Sequence, residues 1–491
     1  MPKSSPVKPV IYVHAKGHGQ ITGHSVQKLL DADLQVCSRL EYPGLTRTEN
    51  GYDQPGLLIA EMAGRFPGRP VIIMRAGLQP SMQLLDSLNG LLDQIGQDVA
   101  LTLLSNAHAS VNPFAGLKPP VESLTCDPAE LVELLAPGQL HSLNTWVDHF
   151  VLLPADLAGR LGDGDLSDGL IQQLRSAGGT LRVPDHLFLP DPEHKLYTAQ
   201  ILEPHELPCP PPFSELSSRL QQWFNAGITD LPFTGKNDAP ATLHITHSWG
   251  GGVAQWLKSF IQTDHEQRNF QLRSEDPQSG MGYGQKISLY AGNELRCPIA
   301  SWWLTPPIDS IADSNSGYRD ILSEIGERYG IGRVFVSSLV GHSLDALRSG
   351  RPTVQILHDH FPVWPLLSVN PLPYIREAGV PDLELAMQEH AKTLEFPDKD
   401  AHAWSQIRES YVHTLEKYKV GIASPGETVL DLQQRLEPAF KTLHTRVIPH
   451  GFPAIESLQP VSAKPRKDGR RRLLILGRMQ TGKGQQLLSR A

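Results

Sequence analysis

The sequence has little cysteine for its length. Four cysteines occur among 491 residues, and no two of them form a Cys-x-x-Cys pair. They are Cys37, Cys126, Cys209 and Cys297. The first residues also lack the apolar core of a secretory signal peptide. A long chain with so few cysteines and no such signal is predicted to be cytoplasmic, with reduced thiols.

Long apolar runs and dense basic blocks are missing as well. No stretch approaches the roughly 20 apolar residues that a membrane-spanning helix needs, so a lipid-linked substrate would be met only peripherally, at the inner membrane face. The formal net charge is −8, from 44 Lys and Arg against 52 Asp and Glu. Because nucleic acid backbones are bound by clustered cations, the sequence argues against nucleic acid as the main partner. A local basic pocket for a diphosphate remains compatible with this charge.

Strand and helix patterns alternate along most of the chain. Short β-branched runs predict strands at 10–14, 71–74 and 99–104, and apolar spacing predicts a helix at 81–95. Further strands are predicted at 242–247, 286–290, 333–338, 353–357, 420–424 and from 446. Further helices are predicted at 170–177, 253–262, 318–329, 383–394 and 403–419. This alternation predicts an α/β layered fold.

Proline-rich stretches divide the chain into domains. Residues 204–212 contain five prolines, which exclude a helix or a central strand there. One helix is predicted near 213–224, and a second proline-flanked break follows at 232–240. The predicted domains are 1–203, a linker with one helix at 204–240, 241–455, and a last piece at 456–491.

The last stretch of the sequence carries the most specific chemistry. A strand is predicted at 473–476, directly before Gly477, and a helix directly after Gly484. Arg478 and Lys483 place two cations beside a helix N-terminus, where backbone N–H groups also favour anions. One cation about 4 Å from a phosphate oxygen gains about 4 kcal/mol at an effective dielectric constant near 20, before desolvation. The two cations therefore suit a diphosphate leaving group.

Two other interpretations of this stretch stay open. Gly477 to Lys483 fits the GxxxxGK part of a P-loop, but a P-loop needs Ser or Thr where this chain has Gly484. The third interpretation is a glycine turn with two surface cations.

The same stretch resembles the first strand and donor-phosphate loop of the C-terminal domain in retaining glycosyltransferases of family four, which have the GT-B fold. Three earlier segments resemble motifs of this family in the same order. They are the glycine-rich loop Ser248-Trp-Gly-Gly-Gly252, the strand end Ile356-Leu-His-Asp-His-Phe-Pro362 and the segment Val447-Ile-Pro-His-Gly451. The last has His450 where the family has Asn. Ser424-Pro425 resembles a further strand end that faces the cleft.

The resemblance implies a layout for the second half of the chain. Residues 241–455 would form the GT-B N-terminal, acceptor-binding domain, which is Rossmann-like. Residues 456–491 would hold a linker and the first strand and helix of the C-terminal, donor-binding domain. Gly477, Arg478, Lys483 and Gly484 would bind the donor phosphates.

Two histidines are candidates for the cleft by the same resemblance. His358 would lie near the reacting sugar, orienting it and handling a proton at the acceptor; a capped loop residue beside Asp359 is the alternative. His342 is the weaker candidate, because Ser343 is more simply explained as a helix N-cap.

The glycine-rich loop is the remaining part of the implied cleft. Gly250, Gly251 and Gly252 would lie against the donor or the acceptor. The alternative is a tight strand-to-helix turn that needs glycine for packing alone.

The first 203 residues resemble family-two glycosyltransferases of the GT-A fold, a Rossmann-type fold, in a degenerate form. The resemblance rests on residues 70–88, 105–113 and 167–178. The family's metal-binding acidic motif is replaced by Arg75-Ala-Gly77, and a divalent ion on a sugar diphosphate needs carboxylate ligands. Asp168 remains where the family has its catalytic base, with a helix N-cap or surface carboxylate as the alternative. This half is predicted to be altered or non-catalytic.

No metal or other cofactor is expected. His358-Asp-His360 and His14-x₃-His18 have the spacing of metal ligands, but neither has a third convergent ligand in the sequence.

Together these resemblances imply a hexosyltransferase. It would move a sugar from a nucleotide-diphosphate sugar to a glycan or lipid-linked acceptor, with retained anomeric configuration, in polysaccharide or lipopolysaccharide biosynthesis. The alternative is a non-catalytic glycan- or nucleotide-binding scaffold with defective sites. The resemblance also implies more C-terminal domain than these residues contain, so the chain as given is expected to hold an incomplete donor site.

Overall fold

In a computed structural model, the chain forms two compact units, residues 1–231 (unit 1) and 232–491 (unit 2). The structure describes residues 10–14, 35–37, 47–48, 51–52, 59, 63–64, 66–75, 78, 80, 82–106, 108–117, 124–144, 147, 149–161, 168–192, 213–233, 239–264, 266–275, 283–375 and 381–451.

Unit 1 contains a mixed sheet of seven strands. Its strands are β1 Val10–His14, β2 Gln35–Cys37, β5 Val71–Arg75, β6 Val99–Leu101, β7 Leu140–Leu143, β8 Phe150–Leu153 and β9 Thr180–Pro184, and a two-stranded ribbon is formed by β3 Arg47–Thr48 and β4 Gly51–Tyr52. The order across the sheet is β2-β1-β5-β8-β6-β9-β7. β1 is parallel to β2 and β5, whereas β8 is antiparallel to both of its neighbours.

Five α-helices belong to the described part of unit 1. They are α1 Met82–Ile95, α2 Pro128–Leu135, α3 Ala155–Arg160, α4 Asp168–Ser176 and α5 Ser214–Asn225. Leu85 and Leu88 of α1 are buried in a cluster with Ile72, Leu101 and Leu152 of three strands. Their spacing puts them on one helix face, so the apolar stripe that predicted this helix is also what fixes it to the sheet.

Unit 2 contains a mixed sheet of eight strands. The strands are β10 Ala241–His247, β11 Arg268–Glu275, β12 Lys286–Ala291, β13 Ala300–Trp303, β14 Ile331–Val336, β15 Thr353–Ile356, β16 Gly421–Ser424 and β17 Thr445–Val447. Their order is β13-β12-β11-β10-β14-β15-β16-β17. The six strands from β11 to β17 in this order are parallel, and β12 and β13 add an antiparallel edge.

The helices of unit 2 connect these strands. The α-helices are α6 Gly251–Thr263, α7 Ser316–Arg328, α8 Leu383–Glu389, α9 Ala401–Lys417 and α10 Glu427–Leu436. Short 3₁₀ turns occur at Leu344–Arg348, Leu372–Tyr374, Ala391–Thr393 and Pro438–Lys441. None of the helices within the described ranges is both long and apolar enough to cross a bilayer.

The predicted α/β class is confirmed in both units. Predicted helices at 81–95, 213–224 and 403–419 correspond to α1, α5 and α9, with ends that differ by one or two residues. The elements that were not predicted include β8, β11 and α10. The strand order of unit 2 changes direction at β10, which has β11 on one side and β14 on the other. In open α/β sheets, ligands bind at the carboxyl ends of the strands beside such a switch point.

Candidate functional site

The carboxyl ends of the parallel strands of unit 2 bring the sequence motifs to one edge. The glycine-rich loop follows β10, His342 lies in the loop after β14, and His358 follows β15. Ser424 ends β16, and His450 lies just after β17. Because parallel strands all end at the same edge of a sheet, five separately predicted positions meet at this edge.

The glycine-rich loop turns sharply from β10 into α6. Gly250 and Gly251 have φ angles of 81° and 74°, which side chains other than glycine rarely adopt. The turn alternative therefore accounts for these two glycines. Gly252 has no such φ angle, and a Cβ added there would meet no atom within 4 Å. Its backbone is open to the close approach of a ligand.

Three aromatic rings from distant segments of the sequence meet behind this loop. The ring centroid of His358 lies 4.9 Å from that of Trp256 on α6 and 5.1 Å from that of His450. Trp256 and His450 are 5.4 Å apart. We call these three residues the aromatic triad. It joins the strand end after β15, the helix after the glycine-rich loop and the segment after β17.

His358 is electrically neutral in this environment. Burial, together with the charges of His450 and His247, lowers the pKa of His358 to about 3. Its Nε2 atom is buried and has no hydrogen-bond partner within the described ranges. A neutral imidazole with a free ring nitrogen can accept a hydrogen bond from a substrate hydroxyl.

An apolar pocket of about 390 Å³ adjoins the aromatic triad. Its walls are mostly apolar side chains and include Phe260, Phe335, Val354 and Ile356. Trp256 and His450 line the pocket as well, so the triad and the pocket share two residues. Other lining residues are Ser259, Gln262, Thr263, Ala423, Ser424, Pro425, Ile448, Pro449 and Gly451. A cavity of this size with a few polar groups at its margin is typical of small-molecule sites.

His342 is part of the packed interior and not of the pocket wall. It is fully buried; its Nε2 donates to the carbonyl oxygen of Thr246 at 2.7 Å, and the Tyr318 hydroxyl donates to its Nδ1 at 2.8 Å. Burial lowers its pKa to about 4, in keeping with one donating and one accepting nitrogen. Ser343 caps the 3₁₀ turn that follows by accepting from the backbone N–H of Asp345, as the alternative interpretation of this segment predicted.

The remaining predicted site residues do not join this edge. Gly477, Arg478, Lys483 and Gly484 lie outside the described residues. Asp168 is the first residue of α4 in unit 1, and its side chain lies outside the described part. Within the described ranges, no group of three or more His, Cys, Asp or Glu side chains could hold a metal ion.

Two residues of this edge were missed by the sequence interpretation. Trp256 reads as one apolar residue of an amphipathic helix, and only its contacts with His358 and His450 distinguish it. Tyr283, which lies beyond a stretch with no clear periodicity, contacts the ring of Trp249.

Comparison with known proteins adds no assignment. No protein-family model matches the chain, and no curated protein matches it.

Proposed function

We propose that the protein is a glycosyltransferase that moves a sugar from a nucleotide-diphosphate sugar to a glycan or lipid-linked acceptor. The observation that carries the proposal is the aromatic triad, in which His358 and His450 come from two segments that resemble motifs of one family and Trp256 lies on the helix that follows a third. These segments are far apart in the sequence. Their convergence at the switch-point edge of the sheet supports the proposal.

The architecture of unit 2 supports the finer part of the proposal, an acceptor-binding domain of the GT-B type. The order of its parallel strands reverses at β10, as in Rossmann-like nucleotide-binding sheets. The glycine-rich loop, with the N-terminus of the 13-residue α6, lies at that switch point. A loop at that position faces the ligand-binding crevice of an open α/β sheet.

Each part of the edge has a role in the proposed transfer. The Nε2 atom of His358 accepts a hydrogen bond from the acceptor hydroxyl and orients it, and the proton passes to the leaving diphosphate as the new glycosidic bond forms. Trp256 and His450 hold the His358 ring in place and exclude water from it. Arg478 and Lys483 neutralise the departing nucleoside diphosphate. Unit 1 is assigned to a GT-A-like domain without transfer activity, because its acidic metal motif is replaced by Arg75-Ala-Gly77.

Replacing Lys483 with alanine tests the donor site. We expect turnover of nucleotide-diphosphate sugars to fall at least tenfold, because a charged contact with phosphate is lost. The measurement is release of nucleoside diphosphate over a panel of sugar donors. Lys467→Ala, in the adjoining basic stretch, is the matched control and should keep normal turnover.

Two outcomes would redirect the proposal. Unchanged turnover in Lys483→Ala would remove the phosphate role of this loop. Calorimetry that detects nucleoside diphosphate binding, with no turnover of any donor, would favour the non-catalytic scaffold instead.

Replacing Gly252 with alanine separates the two explanations of the glycine-rich loop. Because the added methyl group meets open space at an ordinary φ angle, we expect the free energy of unfolding to stay constant or rise by about 0.4–1 kcal/mol. Turnover should nevertheless fall at least tenfold, because the methyl group occupies the ligand's approach. Thermal denaturation and the turnover assay are the two measurements.

Gly251→Ala provides the contrast. Its φ angle of 74° makes alanine unfavourable by about 1–2 kcal/mol, so that variant should lose stability. If Gly252→Ala keeps both stability and turnover, the loop serves the turn alone.

A further inference from the structure

The indole of Trp249 is an exposed aromatic surface at the switch-point edge. Trp249 lies in the loop between β10 and α6 and is 44% exposed. Gly250 and Gly251 follow it, and a Cβ built on either would meet no atom within 4 Å. One side of the indole is therefore bordered by open main chain, where a ligand can approach closely.

The exposed ring is held in a fixed orientation. The backbone N–H of Trp249 donates to Nδ1 of His247 at 3.2 Å, and the two rings lie 4.7 Å apart. Burial and, to a smaller extent, the nearby charge of Arg273 lower the pKa of His247 to about 4. His247 consequently stays neutral at physiological pH, and its Nδ1 keeps accepting this hydrogen bond.

Tyr283 supports the indole from a second direction. The two rings meet edge to face at 5.2 Å with an interplanar angle of 89°. Tyr283 is itself closely packed, because a Cβ at Gly341 would collide with its side chain and with Ser274. Two packed neighbours thus set the position of an aromatic ring that remains open to solvent, which is how a preorganised binding surface is built.

We propose that Trp249 is the stacking platform of an acceptor-sugar subsite. The C–H face of a pyranose ring is flat and apolar and packs on an indole, while its hydroxyl groups point outward to polar neighbours and water. This inference rests on the proposed function, in which the donor diphosphate is bound by residues 477–484. A nucleobase would also stack on an indole, and the test below distinguishes the two ligands.

The test measures binding of methyl hexosides to the protein by tryptophan fluorescence and by saturation-transfer NMR. Methyl glucoside, methyl galactoside and methyl mannoside are the probes, and uridine and guanosine diphosphates are titrated in parallel. The variants are Trp249→Phe and Trp249→Ala. Trp303→Ala is the matched control, because Trp303 is also exposed, at 57%, but lies on the edge strand β13.

We expect at least one methyl hexoside to bind to the wild type and to Trp303→Ala with a fluorescence change. Trp249→Ala should bind it at least tenfold more weakly, and Trp249→Phe should retain part of the affinity without that fluorescence change. Nucleoside diphosphate affinity should be the same in all four proteins. A tenfold loss of nucleoside diphosphate affinity in Trp249→Ala would overturn the inference. So would a hexoside affinity that is unchanged in both Trp249 variants.

The outcome also separates the subsite from the proposed function. Donor turnover that depends on Lys483, with normal hexoside binding by Trp249→Ala, would support the transferase proposal and contradict the role of Trp249 as a stacking platform. Hexoside binding that depends on Trp249, with no binding or turnover of any donor, would support the sugar subsite and contradict the transferase proposal.

Discussion

Replacing His358 with glutamine is expected to lower sugar transfer by about a hundredfold, the loss usual when a reacting hydroxyl group is misplaced by about 1 Å. The imidazole is neutral because burial and two neighbouring histidines lower its pKa to about 3. Its Nε2 has no partner within the described ranges. Glutamine keeps a polar group of similar length but does not present an acceptor nitrogen on a rigid ring. The measurement is the rate of transfer at saturating donor.

His360→Gln is the matched control for that experiment. His360 lies on the same loop, but its Nδ1 is 2.8 Å from Oε1 of Gln433 on α10, so its ring is used in packing two elements together. We expect this variant to keep transfer within about threefold of wild type. An equal loss in both variants would indicate that the loop, and not the His358 ring, is what transfer requires.

Retention of most transfer by His358→Gln would contradict its assigned role. The rate of transfer by Trp256→Phe is a second test of the same site. Because Trp256 contacts the His358 ring and phenylalanine keeps part of that contact, that variant should weaken transfer less than His358→Gln does. The two variants together separate the support of the ring from the hydrogen bond that its nitrogen accepts.

As the pH is lowered, unit 2 is expected to unfold at a higher pH than a typical domain does. Burial is the main cause that lowers the pKa of His244, His247 and His342 to about 4 and that of His358 to about 3. In the unfolded chain each of these rings titrates near pH 6.5. Between about pH 6.5 and pH 4 the unfolded state therefore binds protons that the folded state does not.

The sign and size of the effect follow from proton linkage. Stability rises with pH wherever the unfolded state binds more protons, so these four groups stabilise the fold fully above pH 6.5 and progressively less below it. Each contributes at most about 1.4 kcal/mol per pH unit, or about 5 kcal/mol per unit for the four near pH 5. Since domains have about 5–15 kcal/mol of stability, the loss is large.

Thermal denaturation followed by tryptophan fluorescence tests this expectation. Six of the eight tryptophans lie in unit 2, so the signal reports mainly on that unit. The transition temperature should be nearly constant between pH 7 and 8 and should fall steeply from pH 6.5 to 5. In His358→Gln the slope should be shallower by about a quarter. A transition temperature that is the same at pH 5 and pH 7 would rule out the linkage.

Much of the fold was predictable because the spacing of apolar residues along the sequence indicates helices and strands. The stripe of leucines that predicted α1 is buried in the core of unit 1. The run at 242–247 predicted β10, all seven residues of which are buried. β11 was missed because its polar residues are buried as well: Asn269 accepts from His244, and Gln271 donates to the carbonyl oxygen of Gly292. Only tertiary hydrogen bonds make such a strand stable in a core.

The candidate site divides in the same way. The sequence by itself determined the α/β class, the glycine-rich turn and the candidacy of His358, because each depends on residues adjacent in the chain. Only the tertiary structure decided that His342 is enclosed between Thr246 and Tyr318, and that Trp256 and His450 surround His358. These contacts join segments that lie close together in the fold but are distant in sequence. Burial and pKa then follow from that packing, which no local pattern encodes.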